Sequence, residues 1–392
     1  MSKTNHIPHS HGRTLINELN GHRNSLGAIR LVLASLVIVS HAYPLGGFGS
    51  DPLFRHFSAY DSIGGVAVVG FFGLSGFLVV RSGLHADVLQ FLWRRILRIF
   101  PAFWGALCFA AFVVGPMVWW IGGKNLGSYF TFDAGGPFSY LLMNWNLSIG
   151  QYGILDIFAT TTPYGGLVGG SVLNGSIWTL TYEWTCYVAV AILVFLGVLQ
   201  KSRFTIVAIT FILAALQLMN LVSPGATESF APYLADPFVV SLGFVFSVGA
   251  SIGIYADRII LNNRMGLASG VISAVSLFQG GWSFIGSITF PFFLLWLACS
   301  LPKIFQKIGQ KNDYSYGVYV YGFLVQQTTA HFGVHNLGAY TWMLISLGGT
   351  LLLAILSWHI LEKPAMKLKS IGPGRGINHW REKLNLTKAA LQ

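Results

Sequence analysis

Three side chains of this 392-residue chain carry acid–base chemistry into places where charge is costly: Arg30, His41 and Glu183. Each lies in or at the edge of an apolar stretch, where an ionisable group usually faces a cavity or a partner. Arg30 and His41 stand eleven residues apart. On a helix that is about 1100° of turn, about 20° from whole turns, and about 16 Å of rise. They therefore share a face, a cation low and an imidazole high on one polar track. Imidazole titrates closest to neutrality of the side chains and suits general-base work. The plainer alternative is that Arg30 snorkels to a surface and His41 is a hydrogen-bonded packing residue. Glu183, in SIWTLTYEWTCYV, reads as the single carboxylate well inside an apolar run, at a depth similar to His41. That depth match pairs the two; azimuth is not legible.

A second group is basic. In FLWRRILRIFP, Arg95 and Arg98 are three apart and share a face of what reads as an interfacial helix, with Arg94 adjacent. Guanidinium forks suit phosphate, and anchoring to lipid headgroups is the other reading. The run GGVAVVGFFGLSGFLVV holds small residues at helix-packing spacing, with Ser75 placed to line a cavity. His331, His335 and His359 stand singly, with no metal-ligand spacing, and Lys303, Lys307 and Lys311 read as a solvated or lipid-facing stripe.

The elements that must position these groups are membrane helices. The chain is 54% hydrophobic and 9% charged, against about 25% charged in soluble domains. Apolar stretches fall near 27–46, 62–80, 100–122, 176–199, 204–222, 237–255, 266–281, 283–301, 316–334 and 340–361. This predicts an all-α polytopic bundle of about ten spans, since a crossing helix takes roughly 20 residues. The shorter stretch 138–150 reads as interfacial or re-entrant. With both termini cytoplasmic, every Lys and Arg except Arg55 and Lys124 falls inside, as the positive-inside rule requires. The expected organisation is a cytoplasmic tail over 1–24, a transmembrane domain over 25–365 and a cytoplasmic tail over 366–392, with no cleavable signal pattern at the start. Loop 123–175, rich in Gly, aromatics and Asn, faces outward; loops this long are often functional. Cys108, Cys186 and Cys299 lie in apolar runs and read as small core residues. The basic excess is scattered between spans, which argues against nucleic acid and for the lipid bilayer as partner.

Taken in order, the motifs resemble the acyltransferase-3 family of bacterial membrane acyltransferases. The carrying residues are Arg30 and His41 (Arg-x10-His), FFGLSGFL at 71–78, RRILRIFPAFW at 94–104, SIWTLTYEWTCY at 176–187, DYSYGVYVYGF at 313–323 and LEKP at 361–364. The likeness runs from about residue 25 to 370. It departs where Gly322 stands in place of a frequent His, and where Val69 and Gly70 precede the paired Phe in place of a polar residue; no catalytic role carries over to these. Some members append a soluble esterase-like domain, and here transfer is expected to finish within the membrane domain or with a partner.

The resemblance implies acyl-CoA, most often acetyl-CoA, as donor and a sugar or lipid-linked glycan hydroxyl as acceptor, with no metal, in a bacterial cytoplasmic (inner) membrane. His41 is then the candidate base, and Glu183 orients it or binds the acceptor. Arg30, Arg94, Arg95 and Arg98 would hold CoA. Ser75, Trp145 and Tyr152 would contact the acceptor, although interface anchoring explains the aromatics equally well. A transporter or glycan-lipid flippase is the competing reading, since buried charge along a polar track serves it too; a non-catalytic membrane scaffold is a third.

Overall fold

The computed structural model describes residues 14–19, 21, 24–55 and 62–390. Of the expected N-terminal tail, residues 1–13, 20 and 22–23 therefore lie outside the description. Ten main helices stand where the apolar stretches do: α1 (Leu26–Leu45), α2 (Ile63–Leu84), α3 (Val88–Phe109), α4 (Thr179–Phe195), α5 (Phe204–Val222), α6 (Pro237–Ile254), α7 (Asn263–Gln279), α8 (Ser287–Ser300), α9 (Ser315–His331) and α10 (Ala339–Ser357). There is no strand among the described residues, only an isolated bridge between Thr14 and Ile260.

Eight segments are long and apolar enough to cross a membrane. The other two, α7 and α9, have 17 residues each, short of the roughly 20 a crossing takes. For α9 the reason is its position: every residue from Ser315 to Gln327 is buried. A helix walled by protein can carry Tyr and Gln, provided each finds a partner. Tyr316 Oη donates to Ile99 O (2.9 Å), Gln326 Nε2 to Ile38 O (2.8 Å) and Gln327 Nε2 to Val172 O (2.8 Å).

The arginine-bearing segment is not a separate interfacial helix. It is the first half of α3, which runs on through a wider turn at Ala110–Val114 to Ile121. Asp87 starts it with a reciprocal capping box to Gln90 and also accepts from Ile377 N (2.9 Å), docking the C-terminal segment on α3. Residues 138–150 form a short helix, Pro137–Asn144, and a turn.

Two helices meet face to face because glycines stand where their backbones come closest. A Cβ on Gly76 of α2 would collide with the Phe246 carbonyl of α6, and one on Gly249 of α6 with the Gly73 carbonyl of α2. This close approach fixes the azimuth of α2, so that Ser75 turns to α4.

Candidate active site

Three cavities that share walls run through the bundle between α1, α2, α3, α4 and α9. The largest, about 720 Å³, is bounded by His41 and Ser40 of α1, Asp51, Trp178, Thr179 and Tyr319. Val68, Thr179 and Tyr319 are also walls of a second, about 50 Å³, which reaches Arg30, Arg98, Glu183 and Tyr187. A third, about 60 Å³, shares that group and adds Ser75 and Arg95. Arg30 and His41 thus both face the cavity system, one at each end. In the wall between the first two stands Tyr319, whose hydroxyl donates to the Ser176 carbonyl and also pairs with Thr179 Oγ1.

At the arginine end Arg30 and Arg98 are matched by one shared carboxylate. Asp313, just before α9, accepts from Arg30 Nη1 (2.8 Å) and Arg98 Nη2 (2.6 Å), while Ser315 Oγ donates to its other oxygen (2.6 Å). Burial pushes this carboxyl up, but Arg30 and Arg98 outweigh it and hold it well below the usual carboxylate range. Arg98 Nη1 also lies 3.9 Å from Glu362 Oε2. Glu362 is buried, and its other oxygen accepts from Ser357 (3.2 Å). Arg95 makes no ion pair among the described residues. Its guanidinium lies over the Tyr187 ring (5.7 Å) and the Phe91 ring (6.0 Å), and its Nε is buried without a partner.

At the other end His41 has no hydrogen bond to another described residue; its ring meets Phe323 edge-on at 5.4 Å. Beside it, Ser40 Oγ donates to Asp51 Oδ2 (2.5 Å), which also accepts from Ile63 N (2.9 Å). Asp51 pins the rim of the large cavity to the start of α2.

The arrangement revises several expectations. Glu183 does not meet His41. It accepts from Ser75 Oγ (3.0 Å) and Tyr187 Oη (2.5 Å) and belongs to the arginine end. Ser75 is consequently spent on Glu183 and Tyr187, at the end remote from His41. Arg94 is in the wall of none of these cavities, because one residue along a helix turns it about 100° from Arg95. Trp145 is 60% exposed and outside the three cavities, its carbonyl accepting from Trp104 Nε1 (2.9 Å). Tyr152 stands on the wall of a neighbouring cavity. Glu183 is half-buried and not the single carboxylate inside an apolar run, for Glu362 lies buried in the extension of α10. Asp313 and Glu362 both sit in stretches that the sequence motifs single out, DYSYG and LEKP, and those motifs were the available signal. Gly322, where a His often stands in the family resembled, has no room for one: a Cβ there would lie 2.8 Å from Ile38 Cγ1.

Comparison with known proteins agrees with this architecture. Residues 23–359 match the acyltransferase domain of the acyltransferase-3 family. The chain is 29% identical over 351 residues to an O-acetyl transferase of Shigella phage Sf6, spanning 87% of this chain and 95% of that protein. It is likewise 29% identical over 377 residues to nodulation protein 10 of Rhizobium leguminosarum bv. viciae, spanning 90% of this chain and 95% of the relative. No solved structure matches it. A family match over most of the chain, on a bundle of apolar helices with a charged track inside, identifies an integral multi-pass membrane protein of the acyltransferase-3 family and an O-acyltransferase enzyme.

Proposed function

We propose that this O-acyltransferase takes an acyl group, normally acetyl, from acyl-CoA and delivers it to a hydroxyl of a cell-surface glycan, with His41 as general base. The observation that carries the reading is the succession of wall-sharing cavities between the arginine cluster and His41. The name of the phage relative supports acetyl as the group. In the orientation favoured by the Lys and Arg distribution, the arginine end is cytoplasmic, where CoA is found, and His41 opens outward in a bacterial cytoplasmic membrane.

The acceptor hydroxyl gives its proton to His41 as its oxygen bonds to the thioester carbonyl carbon. The tetrahedral adduct then expels CoA thiolate, which takes that proton from the imidazolium. A hydroxyl is a weak nucleophile near neutral pH, and a positioned base is worth about 10²–10⁴-fold. Arg30 and Arg98 are committed to Asp313, so their task is to hold the cavity wall. Arg95, in the cavity wall and without an ion pair among the described residues, remains for the phosphates of CoA. Glu183, with Ser75, positions Tyr187 beneath the Arg95 guanidinium.

The test is CoA thiol release from acetyl-CoA in membranes supplied with an acceptor-containing cell extract. Native protein should release CoA, and His41→Ala, at matched folded amount, should do so about 10²–10⁴-fold more slowly. Equal release by both would remove His41 as the base. Absence of release by the native chain would count against acyl-CoA as donor.

A further inference from the structure

The His41 cavity has a neighbour. Two of its wall residues, Trp178 and Phe238, are also walls of an open cavity of about 520 Å³ lined by Tyr152, Thr181, Tyr182 and Asp236. Both volumes fall within the roughly 300–1,000 Å³ typical of ligand sites. The dividing wall is aromatic: the Trp178 ring meets Phe238 at 4.5 Å and Tyr182 at 5.5 Å, both edge to face. Asp236 is polar but not exhausted. Its Oδ1 caps α6 through Phe238 N (2.9 Å) and its Oδ2 accepts from Tyr182 Oη (2.5 Å), while an ionised carboxylate has about four acceptor positions.

The remaining wall is built to keep its shape. Asn144, buried in loop 123–175, accepts from Gly150 N (2.9 Å) and Gln151 N (3.1 Å) and donates to Gln151 O (2.8 Å). Thr181 Oγ1 of α4 donates to Leu147 O (2.6 Å). Leu147 is held at φ +75°, a left-handed conformation that is uncommon for a side chain of this size, costs energy and persists only where its surroundings impose it.

We propose that this second cavity is a distal acceptor subsite, so that the acceptor is an oligosaccharide rather than a single sugar. One residue presents its hydroxyl to His41, and a neighbouring residue of the same glycan lies against Trp178, Tyr152 and Asp236. The inference rests on the acyltransferase reading above and adds the length of the acceptor to it. Sugar rings suit the lining, since their C–H faces pack on aromatic rings and their hydroxyls donate to carboxylate and phenol oxygens. A phosphate-rich ligand would meet the Asp236 charge, and a lipid tail would strand that carboxylate in hydrocarbon.

The experiment uses the full-length protein in detergent, acetyl-CoA, and the surface glycan of the producing cell cut by mild acid to fragments of one, two and four residues. Acetyl transfer is read by mass and CoA release in parallel. For native protein, kcat/KM should be about tenfold or more higher for four-residue than for one-residue fragments, the worth of one added polar contact. Tyr152→Ala and Asp236→Asn should each pull that ratio toward one. Tyr152 is half exposed on its loop, and Asn replaces Asp well at a helix N-cap; monodisperse elution checks that both variants fold. A native ratio of one, or variants that slow all fragments alike, would overturn the subsite. CoA release with phospholipid vesicles but with no fragment would also overturn it, leaving acyl transfer standing. No release with any acceptor would bring down the proposed transfer from acyl-CoA to a glycan itself.

Discussion

The two ends of the cavity system are built on opposite plans. At the arginine end, Asp313 holds Arg30 and Arg98, and Glu183 holds Ser75 and Tyr187, around cavities of about 50 and 60 Å³. At the His41 end, the imidazole has no hydrogen bond to a described residue and faces about 720 Å³. Buried charges demand partners, since an unpaired one costs several kcal/mol. A base that must accept a proton from a substrate needs the reverse, an unengaged nitrogen in an open chamber. The same helix, α1, serves both ends, so one rigid element keeps a satisfied cation and an unsatisfied base in fixed relation.

The sharpest way to break this contrast is to remove charge from the matched end. Asp313→Asn leaves Arg30 and Arg98 without their shared carboxylate; loss of one partner from a fully buried pair costs about 3–5 kcal/mol, and this half-buried cluster should lose somewhat less. A large fall in the thermal midpoint of the detergent-solubilised protein is expected. His41→Ala, by contrast, should move that midpoint little while abolishing most CoA release. If the two variants melt alike, the ends are not differently built. Tyr319→Phe comes next, because it strips the hydroxyl that ties α9 to Ser176 and Thr179 between the two regions. About 1–2 kcal/mol of stability should go, and CoA release without acceptor should rise if that wall loosens.

The smallest effect is one of pH. Asp313 is held below the ordinary carboxylate range by its arginines. The stability it contributes is therefore fully present above that range, and is lost as pH falls from there through the lowered value. Native protein should lose midpoint below about pH 4 in a way that Asp313→Asn does not. Parallel acid curves for the two proteins would mean that the ion pairs contribute nothing.

Much of this was legible in the residues. Apolar runs placed nine of the ten main helices and the second half of α3, and Arg30 and His41 could be set on one face because helical period relates positions within a single element. The pairing of Glu183 with His41 failed for the complementary reason. Depth was known, but α2, brought against α6 by Gly73, Gly76 and Gly249, presents Ser75 to α4, and the Glu183 carboxylate meets it there. The reading of 94–98 as a separate interfacial helix failed because an arginine near a headgroup layer and one met by a distant carboxylate, as Arg98 is by Asp313, look the same along the chain. Likewise, α9 reads as an ordinary span, although it is walled by protein over most of its length.

What the sequence determined by itself is the class of the molecule and the order of its parts: a chain this apolar and this poor in charge folds as membrane helices, and spacing along each helix sets which residues share a face. What only the tertiary structure decided is which faces meet. Arg30 and Asp313 are 283 positions apart and Arg98 and Asp313 are 215 apart, and no local rule joins residues so distant. Their contact follows from how ten helices pack, and that depends on the shapes of all the seams at once.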